Sequence, residues 1–61
     1  MATVTVSGDV VDVPRGSTIE GAMRSAGYTP DSFVYLAGGA PVPMDTVPEG
    51  DVTALRVASG G

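Results

Sequence analysis

At 61 residues the chain has room for one domain, and a domain that small buries only about 60% of the surface its unfolded chain exposes. It has no cysteine and no histidine, which excludes a disulfide framework, a thiol nucleophile of its own, and the commonest general base and metal ligand. Seven acidic residues against three arginines give a formal charge of −4, the wrong sign for neutralising phosphates, so no direct nucleic-acid binding is expected.

The uninterrupted apolar stretches are only a few residues long, too short for a bilayer-spanning helix. The start, Met-Ala-Thr-Val-Thr, lacks the basic end and apolar core of a secretory signal. A soluble, cytoplasmic monomer is the expectation. Lysine is absent altogether. Drift of composition explains that, and so does a protein that attaches to lysines and must not attach to itself. Either way, no chains linked through its own lysine side chains can form.

The predicted elements run as follows. Thr3-Val4-Thr5-Val6 alternates polar and apolar β-branched residues, as a half-buried strand does. Ser7-Gly8-Asp9 is a turn signal, and Val10 to Val13 reads as the returning strand of a hairpin. Val4, Val6, Val11 and Val13 are the candidates for its inward face. Pro14-Arg15-Gly16 ends the hairpin. Ser17 precedes Glu20 at capping-box spacing, and Ile19, Ala22, Met23 and Ala26 form one apolar stripe along a helix. Gly27 follows as a left-handed C-terminal cap. So short a helix, with Gly21 inside it, needs a sheet to pack against.

Tyr28 to Asp31 is expected as a loop. Ser32-Phe33-Val34-Tyr35-Leu36 has the strongest strand propensity in the chain, and Gly38-Gly39 breaks it. Pro41-Val42-Pro43 can form only a short edge strand. Asp45 to Asp51 is turn-rich, with Pro48-Glu49-Gly50-Asp51 as a tight turn. Val52 to Val57 is the last strand, and Ala58-Ser59-Gly60-Gly61 is left over as a tail. The order (hairpin, crossing helix, further strands) predicts an α+β domain over residues 1–57, with one helix on one sheet face, and a tail over 58–61.

That order, ending on Gly-Gly, resembles the β-grasp fold of ubiquitin-like proteins, with a mixed sheet of four to five strands. More closely, the chain is similar to the short prokaryotic branch: sulfur carriers of thiamine and molybdopterin biosynthesis, and small archaeal modifier proteins. The residues that carry the resemblance are Gly38-Gly39-Ala40-Pro41-Val42-Pro43-Met44-Asp45, Glu49-Gly50-Asp51-Val52, and Leu55-Arg56-Val57-Ala58-Ser59-Gly60-Gly61. The resemblance implies that this chain is a co-substrate and not an enzyme. It binds no cofactor, and an ATP-consuming, ubiquitin-activating-type partner adenylates the Gly61 carboxylate. The activated acyl group then forms an isopeptide bond with a target lysine. The alternative is a thiocarboxylate that delivers sulfur to a tRNA base or to a thiamine or molybdopterin precursor. A second alternative is a binding module that is never conjugated.

Physical reasoning supports such a tail as well. At about 3.3 Å per extended residue, residues 58–61 reach roughly 13 Å, enough to enter a partner's narrow channel. Glycine lacks a Cβ, so catalytic groups can approach Gly60 and Gly61 closely. Leu55 and Phe33 are candidates for an exposed sheet-face patch that docks the activating enzyme. If Val52 and Ala54 face the helix, Thr53 and Leu55 face outward, although core membership is the commoner fate of Leu and Phe. Arg56 matches a basic position in some ubiquitin-like tails and is otherwise a solvated surface charge. Asp45, Glu49 and Asp51 are close in sequence, but they lack the spacing of a calcium loop and fit a solvated turn equally well. No metal site is expected.

Overall fold

The computed structural model describes residues 2–57. Five strands and one helix follow in the order β1 (Ala2–Val6), β2 (Asp9–Val13), α1 (Ile19–Ser25), β3 (Phe33–Ala37), β4 (Ala40–Val42) and β5 (Asp51–Arg56). A 3-10 turn, Pro30–Ser32, occupies part of the stretch expected as loop before β3. The sheet order is β2-β1-β5-β3-β4, with β1 and β5 parallel at its centre and every other pair antiparallel. This is a small α+β fold of the β-grasp type.

Valine alternation sets the first hairpin. Val4 stands opposite Val11 and Val6 opposite Asp9, so the turn is the two residues Ser7 and Gly8, one shorter than expected. Both take positive φ, 35° at Ser7 and 98° at Gly8. Positive φ at both positions is the turn geometry whose twist matches that of the flanking strands. Gly38 and Gly39, at φ 60° and 85°, make the same kind of turn between β3 and β4.

The inward face is the expected one. Val4, Val6, Val11, Val13, Val52 and Ala54 are buried, and Ile19 and Met23 of α1 are fully covered by them and by Phe33 and Tyr35. Burying a side chain of that size contributes about 1.5–3 kcal/mol, which is why a seven-residue helix persists here.

The helix begins one residue later than the capping box implied. Thr18, not Ser17, is the N-cap, and its Oγ1 accepts from the Gly21 N–H at 3.1 Å. The Ser17 N–H donates to the Pro14 carbonyl, which commits Ser17 to the preceding turn. The first two helix donors go to distant backbone: Ile19 N–H to the Thr46 carbonyl and Glu20 N–H to the Met44 carbonyl, at 3.0 and 2.8 Å. Thus the loop after β4, rather than the Glu20 side chain, satisfies the open end of the helix. Ala26 ends the helix and is exposed, so the apolar stripe stops at Met23. Gly27 follows at φ 90°, the left-handed position expected of it.

Candidate functional site

β5 lies between β1 and β3 and is thereby held along both edges. Its last cross-strand pair is Arg56 with Phe33, and beyond it the Val57 N–H donates to the Ser32 carbonyl at 2.9 Å. The chain is therefore anchored up to Val57. Gly60 and Gly61, the expected conjugation residues, lie outside the described residues.

Next to this end of β5 is a polar cleft of about 370 Å³, lined by Val6, Ser7, Asp9, Tyr28, Phe33 and Arg56. The first hairpin turn supplies Ser7 and Asp9, the loop after α1 supplies Tyr28, and the β3–β5 pair supplies Phe33 and Arg56. The Tyr28 hydroxyl donates to Asp9 Oδ2 at 3.2 Å, tying that loop to the hairpin. Desolvation, then the charge of Asp9, raises the Tyr28 phenol above its ordinary value, so it remains a protonated donor at neutral pH. The Arg56 guanidinium lies 5.7 Å from the centre of the Phe33 ring, and the Tyr28 ring meets Phe33 edge-on at 5.9 Å. Arg56 is exposed, yet the aromatic ring beneath it restricts where its charge can go.

The expected pairing of Phe33 with Leu55 in one exposed patch does not form. Phe33 is buried on the helix side of the sheet, in line with Tyr35, whose hydroxyl donates to the Pro30 carbonyl at 2.8 Å. Leu55 faces the other way and is about half exposed, as the alternation from Val52 implied. Its cross-strand partner is Val34, also exposed, and on the same face Leu36 stands between Thr53 and Pro41. Val34, Leu55, Leu36 and Pro41 make an apolar strip on the helix-free face. Sequence reasoning missed Val34 because residues 33–36 are apolar on both faces, and period-two alternation carries no sign there.

Among the described residues no three acidic side chains converge into a metal-binding group, and no helix is long and apolar enough to cross a membrane. Asp51, one of the clustered acids, instead accepts a hydrogen bond from Thr3 Oγ1 at 2.7 Å across the parallel β1–β5 pair. No family model matches this chain, and no curated protein is significantly similar to it.

Proposed function

We propose that the chain is a ubiquitin-like protein modifier whose working group is the carboxylate of Gly61. A partner enzyme of the ubiquitin-activating type uses ATP: a carboxylate oxygen attacks the α-phosphate, pyrophosphate leaves, and the acyl-adenylate of Gly61 forms. The amine of a target lysine then displaces AMP and closes an isopeptide bond. This chain supplies the acyl group and the docking surface, while the catalysis belongs to the partner.

The observation that carries the reading is the position of β5. A strand gripped on both edges, with a backbone bond from Val57 to Ser32 beyond its Arg56–Phe33 pair, holds a fixed base, and the sequence continues from it as Ala58-Ser59-Gly60-Gly61. Residues without bulky side chains past such a base suit insertion into an adenylating site, where groups must close around the backbone. The strip of Val34, Leu55 and Leu36 lies on the same central strands and is the surface we assign to the partner. The absence of lysine keeps the chain from becoming its own side-chain target.

The test is expression in the native host of a copy tagged at its N-terminus, purified under denaturing conditions, beside a copy lacking Gly60 and Gly61. Tagged species of higher mass, seen with the full chain and absent from the truncated one, support the proposal. If both copies show no such species, and the full chain carries an oxygen-to-sulfur mass change at Gly61, the chain is a sulfur carrier. If neither change occurs, it is a binding module.

A further inference from the structure

The turn after β4 is tied to the start of the helix. The Thr46 N–H donates to the Pro43 carbonyl at 3.1 Å, closing a tight turn with Met44 and Asp45 at its corner. From that turn the Met44 and Thr46 carbonyls accept the Glu20 and Ile19 N–H groups. Ile19 is wholly buried, so its N–H has no water to turn to when its acceptor moves. The turn and the first residues of α1 therefore hold or let go together.

What holds the turn is one side chain. Pro43 and Asp45 are exposed, and Met44 is the turn's one apolar side chain packed against the core. Met44 is only partly buried, and it borders a surface hollow of about 290 Å³ shared with Pro30, Phe33, Tyr35 and Val42. The chain has no cysteine, so its oxidisable sulfurs are the thioethers of its three methionines. Met23 is wholly buried, and Met1 lies outside the described residues. Among the described residues, Met44 is the sulfur that an oxidant in solution can reach.

We infer that Met44 is a redox-modification site that takes a peroxide as its oxidant, and that its oxidation frees the start of α1. The thioether sulfur attacks one peroxide oxygen; the O–O bond breaks and a sulfur–oxygen bond forms. Sulfur gives up two electrons to the peroxide. The departing oxygen takes the proton of the transferred one and, with hydrogen peroxide, leaves as water. The product is a polar sulfoxide, ill-matched to a contact with the core, so the Met44 side chain withdraws toward solvent. Its carbonyl moves with it, and Glu20 and Ile19 lose their acceptors. Methionine sulfoxide is reduced by dedicated reductases, so the change is reversible. None of this depends on activation of Gly61.

The experiment treats the full chain with dilute hydrogen peroxide and follows tryptic peptide masses beside amide hydrogen exchange. Trypsin cuts after Arg15, Arg24 and Arg56, so Met1, Met23 and Met44 fall in separate peptides. The expected result is one added oxygen on Met44 before any on Met23. The Ile19 and Glu20 amides should then exchange roughly tenfold faster, the effect of a hydrogen bond lost, while Val4 and Val11 keep their rates. A methionine sulfoxide reductase should restore the slow exchange. Met44→Leu keeps the apolar contact without the oxidisable sulfur, so peroxide should leave its Ile19 and Glu20 rates unchanged. Met44→Gln puts a polar group of similar length at the position and should speed the same two amides without peroxide. Oxidation of Met23 ahead of Met44, or unchanged exchange once Met44 is oxidised, would overturn the inference. So would a uniform acceleration across the sheet, or the same peroxide response in Met44→Leu.

Discussion

Phe33 and Arg56 stand opposite each other in the β3–β5 ladder, with the Arg56 guanidinium 5.7 Å over the Phe33 ring. This pair is the last in the sheet before the chain continues toward Gly60 and Gly61. It places a positive charge over an aromatic ring at the end of the β3–β5 ladder. Removing the guanidinium by Arg56→Ala should cost about 0.5–1 kcal/mol, the value of an exposed cation–π contact. Amide exchange at Val57, whose N–H is bonded to Ser32, should speed up in that variant. Arg56→Lys should recover part of both effects in urea melts and exchange measurements.

The face opposite α1 should separate function from stability. Leu55 is half exposed, so Leu55→Ser should change stability by no more than about 0.5 kcal/mol. The same substitution should lower adenylation by the activating partner at least tenfold in kcat/KM, read as ATP–pyrophosphate exchange. Val47, comparably exposed but in the loop before β5, is the control, and Val47→Ser should leave the exchange rate unchanged.

Ser7 adopts φ 35°, a left-handed conformation that costs an ordinary L-residue about 1–2 kcal/mol. Asparagine tolerates it better, so Ser7→Asn should stabilise the fold by up to about 1 kcal/mol. Gly8 has open space around the position of a Cβ, so Gly8→Ala meets no steric clash with neighbours. Its cost, about 1 kcal/mol or more, should come from the positive φ alone. Thermal melts of the two variants should therefore move in opposite directions.

Alkaline pH should weaken the fold through two tyrosines. Desolvation raises both Tyr28 and Tyr35 above the ordinary value of 10.0, assisted by Asp9 at Tyr28 and by Asp31 and Glu20 at Tyr35. A phenol whose folded pKa is raised binds its proton more tightly in the folded state. The stability it contributes is complete below pH about 10 and is lost as pH rises through the folded pKa. Denaturant midpoints should stay level toward pH 10 and fall above it. Tyr28→Phe should reduce the drop by removing one titrating group.

Much of this was legible in the sequence, for identifiable reasons. Val4, Val6, Val11 and Val13 alternate with polar residues, so period and face could both be read, and Val52-Thr53-Ala54 told which way Leu55 points. Phe33 and Val34 carry no such contrast; only the pairing with Arg56 and Leu55 decides which of them is buried. The start of α1 was misplaced by one residue because Ser17 and Thr18 are both competent caps. The choice rests on the Met44 and Thr46 carbonyls, which come from a distant loop. The polar cleft was invisible for the same reason, since Asp9, Tyr28 and Arg56 are brought together only by the fold.

Whether Gly61 is joined to lysines of other proteins is tested most directly by peptide mass spectrometry of the tagged chain's conjugates from its native host. Trypsin cuts after Arg56, so a conjugated lysine should carry the remnant Val57-Ala58-Ser59-Gly60-Gly61. Finding that remnant on lysines of other proteins is the predicted result, and it names the targets. Recovering only the free peptide ending in Gly61, or the same peptide with sulfur in place of a carboxylate oxygen, would contradict it.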